Sequence, residues 1–283
     1  MRDRRRSASG VSVCVLTGLG INTEREMAHA FELVGASASI VHVNDLLGEP
    51  GGLGSFAILA VPGGFSYGDH IGSGAMLAAR MARQLRDPLR RFVDAGGLII
   101  GVCNGFQVLV RLGLLPALDG EWRQQVALVP NDSGRFEDRW VRVAFGSPQC
   151  LWTRQLTPLD LPVRHGEGRM VADDATLVRI EEAGLVAARY IGSDRNCESV
   201  VTTATGDQLP YPDNPNGSRR AIAGLCDPSG QVFGLMPHPE AYLYRQLHPL
   251  WRRRVGNADP AASASDDALQ LFRNAVAHAI ASG

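Results

Sequence analysis

The stretch LIIGVCNGFQVLVRLGLL, residues 98–115, holds a cysteine in a glycine-flanked turn between two apolar runs. The turn Gly101-Val102-Cys103-Asn104-Gly105 has the G-x-nucleophile-x-G form of a nucleophile elbow, where a strand passes sharply into a helix. Glycines two positions to either side leave room for the strained backbone of the central residue. The sequence therefore predicts a strand over 97–102, a tight turn that carries Cys103, and a helix over 106–115.

Cys103 has two interpretations. Most free cysteines are small buried hydrophobic residues without chemistry, and short glycine patterns also recur by accident. At an elbow, however, the sulfur lies above the C-terminal edge of the sheet, where open α/β folds bind ligands. The positive end of the helix dipole favours a thiolate there, and backbone N–H groups can form an oxyanion hole. The motif alone does not decide between the two.

The first half of the chain alternates strands and helices. Thr23 and Glu26 have the spacing of a capping box at the start of a helix, and Pro88 is placed to open another. Further apolar runs predict strands at 11–16, 39–43 and 56–64 and a helix at 76–85. Strand and helix alternating with short connections predict an α/β fold, with a mostly parallel central sheet flanked by helices.

The second half is richer in strands. Strands are predicted at 139–145 and 185–191, and a hairpin around Asp227-Pro228-Ser229-Gly230. A final helix covers 266–281, and HPLWRRRVGNADPAASASD (248–266) is expected to be a loop or an insertion. We expect residues 1–9 to be a disordered basic tail and 10–283 to form a single domain.

Composition excludes several classes of protein. The 283 residues are 45% hydrophobic and 20% charged, with 28 basic and 29 acidic residues and a formal net charge of -1. This balance gives no reason to expect nucleic acid or an anionic membrane as a partner. No apolar run approaches the length of a membrane helix. The five cysteines are widely and irregularly spaced, which disfavours a disulfide framework or a zinc site and favours a reducing cytoplasm.

A nucleophilic cysteine needs a base, and the segment LMPHPE offers one. His238 lies two residues before Glu240, and two prolines favour an extended backbone in which both side chains point the same way. A carboxylate beside an imidazole fixes its tautomer and stabilises the imidazolium. A surface His–Glu pair in a proline turn is the alternative. Together with the elbow, the pair predicts a Cys103–His238–Glu240 triad.

Several motifs in order along the chain carry a family resemblance. GVCNGFQ, PGGFSYGDHIGSGA (62–75), HGEGR (165–169), NPNGS (214–218) and GLMPHPE (234–240) resemble the class I glutamine amidotransferases. More narrowly, they resemble the glutaminase component of phosphoribosylformylglycinamidine synthases, which act in de novo purine synthesis. The resemblance covers residues 11 to 280 and implies the flavodoxin-like architecture of that family, with a nucleophile elbow.

The resemblance also implies roles for individual residues. Cys103 attacks the glutamine side-chain amide to give a glutamyl thioester, while His238 acts as general base and acid and Glu240 orients it. Backbone amides at Gly64 and Asn104 form the oxyanion hole. The candidate substrate-binding residues are Phe65, Gln107, His165 and Glu167.

The segment HGEGR, which carries His165 and Glu167, resembles the one that closes over the glutamine site or faces the synthase subunit. From the residues alone, a plain glycine-rich turn with an ion pair between Glu167 and Arg169 is equally compatible.

The resemblance implies partners and cofactors outside the chain. No P-loop motif occurs, so ATP and magnesium belong to a large synthase subunit that receives the ammonia; a small accessory subunit is compatible with this arrangement. The chain itself is expected to need no cofactor or metal. Two rival interpretations remain open at this point: another cysteine hydrolase of the same fold, and a non-catalytic binding subunit.

Overall fold

The computed structural model describes residues 10–192, 209–252 and 266–282. The predicted basic tail at 1–9 and most of the predicted 248–266 loop lie outside these residues. No helix in the described ranges is long and apolar enough to cross a membrane.

One large sheet organises the described part of the chain. Its nine strands lie in the order β2-β1-β3-β4-β11-β10-β9-β6-β7. The first five strands in this order pair in parallel, and the remaining pairs are antiparallel. The strands are β1 (Ser12–Thr17), β2 (Ser37–His42), β3 (Ile58–Val61), β4 (Leu98–Val102), β6 (Glu137–Phe145), β7 (Leu159–His165), β9 (Val186–Ile191), β10 (Ile222–Cys226) and β11 (Val232–Leu235). A separate antiparallel pair joins β5 (Ala127–Val129) to β8 (Arg169–Val171).

Helices flank this sheet, as the alternating pattern predicts. They are α1 (Glu24–Leu33), α2 (Val43–Gly48), α3 (Ala75–Gln84), α4 (Arg86–Asp94), α5 (Asn104–Arg111), α6 (Asp174–Glu182) and α7 (Asp266–Ser282). The predicted α/β class, with a mostly parallel central sheet, is confirmed. Strands β3 and β4 lie in the interior of the sheet and are buried along their whole length, which explains their continuous apolar sequences.

Two helix predictions are wrong at a start or an end, and a third helix begins where predicted but lacks the predicted capping bond. The helix after Cys103 begins at once and ends at Arg111 rather than spanning 106–115, because Gly113 takes a left-handed backbone. Helix α4 begins at Arg86, and Pro88 occupies its first turn, where a backbone N–H needs no helical acceptor. Thr23 makes no capping hydrogen bond to α1, because its hydroxyl is engaged elsewhere.

The hairpin of β10 and β11 is confirmed, but the second half of the chain holds elements that its sequence pattern hides. Strand β7 contains Pro162 and charged residues, which do not read as a strand. A proline is tolerated there because β7 is the last strand in the sheet order. The outer side of β7 also meets the segment that follows β11, since the Pro162 carbonyl accepts a hydrogen bond from the His238 backbone N–H (2.8 Å).

Candidate active site

Cys103 stands at a strained turn between β4 and α5. Its φ of 52° and ψ of -108° are rare for a residue with a side chain, as the elbow motif predicts. Its backbone N–H donates to the Leu235 carbonyl of β11 (2.8 Å), so sheet pairing continues right up to the nucleophile position. The thiol is buried and lies 3.6 Å from the Arg164 carbonyl oxygen.

The flanking glycines are required by space. A Cβ on Gly105 would lie 1.8 Å from the Val61 carbonyl oxygen, and one on Gly101 would lie 2.6 Å from the Gly105 carbonyl oxygen. Both contacts are with backbone, which cannot swing away as a side chain can. The elbow therefore tolerates no side chain at either position, as the G-x-C-x-G pattern predicts.

His238 and Glu240 follow β11, the strand beside β4. The imidazole Nδ1 lies 2.6 Å from the Glu240 carboxylate Oε1, and both side chains are almost completely buried. The segment between them is a 3₁₀ turn at Pro239–Ala241 rather than the predicted extended backbone. The turn still places the two side chains together, because Pro239 fits the first position of such a helix.

Gly63 brings the thiol and the imidazole to one place. A Cβ built on this glycine would lie 2.8 Å from His238 Cε1 and 3.4 Å from Cys103 Cβ, so both side chains pack against the bare backbone there. His238 Nε2 is buried and makes no hydrogen bond with the described residues. Burial disfavours the imidazolium, but the Glu240 carboxylate and the Cys103 sulfur outweigh it and raise the pKa of His238 to about 10.

Two backbone N–H groups near the thiol are unengaged. Asn104 is the first residue of α5, so its N–H has no acceptor within the helix. Gly64 has a φ of 141° and forms an isolated antiparallel bridge with Ile21, whose hydrogen bonds run through the neighbouring residues. Within the described ranges, neither N–H donates a hydrogen bond. This is the property that oxyanion donors require before substrate binds.

The candidate substrate-binding residues have unequal environments. Phe65 is 45% exposed and lies 6.2 Å from Phe136, measured between ring centroids. Gln107 is buried, and its amide donates to the Glu167 backbone carbonyl and accepts from the Asn104 side chain (2.9 Å). The Glu167 carboxylate accepts from the Ser73 backbone N–H (3.2 Å). Gln107 and Glu167 thus join the HGEGR segment to the elbow helix and to the 65–74 loop.

The ion pair that a plain glycine turn would use is not the one observed. Glu167 contacts Ser73, whereas Arg169 pairs with Asp132 on a different loop. The HGEGR segment connects strands β7 and β8, and the contacts of Glu167 and Arg169 hold it from two sides. Its sequence does not reveal that its first residue ends one strand and its last begins the next.

His165 is held by two buried asparagines. Its Nδ1 lies 3.1 Å from the Asn131 Oδ1, and its Nε2 lies 3.5 Å from the Asn216 Nδ2. Burial, and then the charge of His238, lower the pKa of His165 to about 3, so it stays neutral at physiological pH. Neutral His165 beside charged His238 avoids placing two like charges together in the interior.

Sequence reasoning missed the side chains that support the site. Asn216 lies in the NPNGS segment, which carries the family resemblance but not a role. Asn131 lies in a turn with no chemical signal. Thr23 was assigned to a helix cap, yet its hydroxyl accepts from the Gly63 N–H (2.9 Å). Such supports escape detection because their partners lie 34 to 51 residues away in sequence.

Comparison with known proteins gives a consistent family. The CobB/CobQ-like glutamine amidotransferase domain matches residues 10–279. The phosphoribosylformylglycinamidine synthase subunit PurQ of Methanococcus maripaludis is 39% identical, over 93% of this chain and 96% of that protein. PurQ of Dehalococcoides mccartyi is also 39% identical, over 95% and 97% of the two chains.

A solved structure agrees with these relatives. A chain in the structure of PurLQS from Thermotoga maritima superposes with a TM-score of 0.64 at 29% identity, over 94% of this chain and 98% of that one. Family domain, relatives and solved structure all extend over nearly the whole chain. The chain therefore belongs to the CobB/CobQ-like glutamine amidotransferase domain family and, within it, to the PurQ subunits of phosphoribosylformylglycinamidine synthase.

Proposed function

We propose that this chain hydrolyses glutamine to glutamate and ammonia through a Cys103–His238–Glu240 triad. The observation that carries the proposal is the buried His238–Glu240 pair, held at 2.6 Å and packed with the elbow cysteine against Gly63. Nucleophile, base and orienting carboxylate are the three parts that nucleophilic acyl chemistry needs. An inert structural cysteine needs neither of the other two.

The protonation states suit the reaction. With its raised pKa, His238 carries a proton at neutral pH and favours the thiolate form of Cys103. The sulfur attacks the side-chain carboxamide carbon of glutamine, and His238 Nε2 gives its proton to the departing nitrogen, which leaves as ammonia. A water molecule then attacks the thioester, His238 takes the proton of that water, and glutamate is released with the thiolate restored.

Gly64 and Asn104 are proposed as the oxyanion donors. Negative charge develops on the amide oxygen when sulfur adds to the carbon, and backbone N–H groups already in place stabilise that charge without reorganisation. Both N–H groups are unengaged in the described part of the chain and flank the elbow. The helix dipole of α5 adds to the same effect.

The glutamine itself is proposed to bind between Phe65 and the elbow helix. Phe65 offers an exposed ring at the rim of the site, and the Gln107 amide keeps one donor and one acceptor beyond its two protein contacts. Glu167 retains a second carboxylate oxygen. His165 has both ring nitrogens beside asparagines, so its contribution is to fix the shape of the HGEGR segment.

The ammonia is proposed to serve a partner synthase subunit. That partner uses ATP and magnesium to convert formylglycinamide ribonucleotide and ammonia into formylglycinamidine ribonucleotide. The related chains are named as subunits of this synthase, and the solved relative occurs in a PurLQS structure. Because free ammonia would be lost to solvent, we expect glutamine hydrolysis to depend on docking of the partner, with a small accessory subunit as a further component to be tested.

The test is product formation with glutamine as the only nitrogen source. The chain is mixed with a synthase subunit that accepts free ammonium, together with the ribonucleotide and Mg-ATP. Cys103→Ala should abolish product, and added ammonium should restore it. Cys14→Ala is a matched control, because Cys14 is a buried β1 cysteine whose pKa burial raises to about 12.

Each outcome decides something. Loss of product in Cys103→Ala alone, with rescue by ammonium, supports the proposal. Product that survives in Cys103→Ala rules out this nucleophile. If the wild-type mixture uses ammonium but not glutamine, and a glutamine-analogue electrophile fails to label Cys103, the chain is a non-catalytic subunit.

A further inference from the structure

The loop from Phe65 to Gly74 takes a backbone path that ordinary residues avoid. Tyr67 has a φ of 56°, Gly68 of 72° and Asp69 of 52°, so three consecutive residues are left-handed. Two of them carry side chains, for which this region is unfavourable. A path of this kind persists only where surrounding contacts enforce it.

Asp69 supplies much of that enforcement. Its Oδ1 accepts a hydrogen bond from the Gly74 backbone N–H (3.0 Å) and another from the Asn104 side-chain Nδ2 (3.2 Å). The first bond closes the loop on itself. The second ties the loop to the first residue of α5, directly after the nucleophile.

The Asn104 side chain also binds the start of the loop, at Ser66. Its Nδ2 faces Asp69 and Gln107, and its Oδ1 accepts from the Ser66 backbone N–H (3.2 Å). An ionised carboxylate accepts only, so Asp69 allows just one orientation of the Asn104 amide. In the flipped orientation, two donors would face each other at Ser66, and the amide group would meet the carboxylate with its oxygen.

The residues on both sides of Gly64 have hydrogen-bonded backbone N–H groups. The N–H groups of Gly63, Phe65 and Ser66 donate to Thr23 Oγ1, the Gly20 carbonyl and Asn104 Oδ1, respectively. Among the described residues, only the Gly64 N–H of these four is left for a ligand. Loss of the hydrogen bond from the Ser66 N–H to Asn104 Oδ1 would let the backbone on the C-terminal side of Gly64 move.

We infer that Asp69 is a positioning residue for the reaction, acting through the Asn104 amide on the oxyanion N–H of Gly64. The inference rests on the proposed glutaminase function and adds to it a side chain outside the triad. Asp69 touches neither the sulfur nor the imidazole. Its contribution is to keep one backbone donor aimed at the charge that forms in the transition state.

The test uses the complex with the synthase subunit and glutamine as nitrogen source. Asp69→Ala removes both bonds, and we expect kcat to fall about 10- to 100-fold with little change in KM, since a displaced donor acts on the transition state. Asp69→Asn can keep Oδ1 as the acceptor for Gly74 and Asn104, so it should stay within about threefold of wild type. His70→Ala, at the exposed next position, is the control for a neutral change in the loop.

A double-mutant cycle between Asp69 and Asn104 distinguishes a positioning role of Asp69 from a role in supporting the loop alone. If Asp69 acts through Asn104, then Asp69→Ala should cost almost nothing further in an Asn104→Leu background. Effects that multiply would overturn the inference, as would an unchanged kcat in folded Asp69→Ala. A KM for glutamine that is clearly and equally raised in Asp69→Ala and Asp69→Asn would also overturn it, because that result assigns the carboxylate to substrate binding.

Two further results keep the test decisive. Should Asp69→Ala fail to fold in thermal melts, Asn104→Leu takes its place, because it removes the Ser66 acceptor directly; an unchanged kcat there refutes the inference. Failure of the proposed function has a different signature, since wild type would then make no product from glutamine while still accepting ammonium.

Discussion

Replacing Gly105 with alanine tests the spatial argument for the elbow. The added Cβ would lie 1.8 Å from the Val61 carbonyl oxygen and 2.7 Å from the Val61 carbonyl carbon. Non-bonded contacts of this kind settle at about 3.5 Å, so α5 would have to move away from β3 by roughly 1.7 Å. Strand β3 is buried throughout and hydrogen-bonded on both sides, so it cannot yield instead.

Overpacking of this severity costs about 3 kcal/mol or more of the free energy of unfolding. For a chain of this size that corresponds to a melting temperature lower by roughly 6–12 °C. Glutaminase activity should fall as well, because the shift moves the helix that begins beside Cys103. The measurements are urea denaturation and thermal melting followed by circular dichroism, with activity assayed in the synthase complex.

Gly48→Ala is the matched control for this substitution. Gly48 ends α2, and a Cβ there would meet nothing within 4 Å, so alanine should be neutral or stabilise by about 0.4–1 kcal/mol. Suppose that Gly105→Ala melted within roughly 2 °C of wild type, as the Gly48→Ala control should. The packing of α5 against β3 would then have to be far more compliant than its geometry implies. The steric account of the elbow would then be wrong.

Three other perturbations have defined outcomes. Glu240→Gln keeps a polar partner for His238 but removes the charge, so kcat for glutamine should fall at least about 100-fold while ammonium-dependent synthesis persists; equal loss of both would contradict an orienting role. Thr23→Val leaves the buried Gly63 N–H unsatisfied and should cost about 1–3 kcal/mol in urea unfolding, whereas Thr23→Ser should not; equal costs would refute this. The free energy of unfolding should fall on both sides of about pH 6.5. His165, whose folded pKa is about 3, should destabilise the chain as the pH falls below about 6.5, and His238, whose folded pKa is about 10, should lose its stabilisation as the pH rises above about 6.5. Each histidine should change the free energy of unfolding by roughly 1.4 kcal/mol per pH unit. His165→Asn should flatten only the acid limb, and an unchanged acid limb would count against the assignment.

Local signals predicted the parts of the fold that depend on local chemistry. The elbow was readable because its glycines, its cysteine and the strand before it are contiguous, and β3 and β4 were readable because full burial produces continuous apolar runs. The start of α5 was misjudged because Asn104 is a weak helix former in isolation. In the folded chain, the elbow delivers it directly into the first turn.

The remaining features could not be predicted from the sequence because they depend on contacts between residues far apart along the chain. Strand β7 carries Pro162 and two charges, and only its edge position in the sheet makes that sequence acceptable. The triad could be proposed from two separate motifs, because each has its own chemical signature. Asp69 and Asn131 could not, since their importance comes from partners 35 and 34 residues away rather than from neighbouring sequence.

The pairing of β4 with β11 has a mechanical consequence. Val102 and Leu235 are partners in the parallel register, so Cys103 and His238 leave two strands that are bonded to each other at the sheet centre. Separating the backbones of these two positions would mean opening that centre, an event about as rare as global unfolding. Loops in general rearrange on timescales of nanoseconds to microseconds. Any effect of a docking partner on turnover would therefore come from reshaped loops, while the spacing of the Cys103 and His238 backbones is set once, when the chain folds.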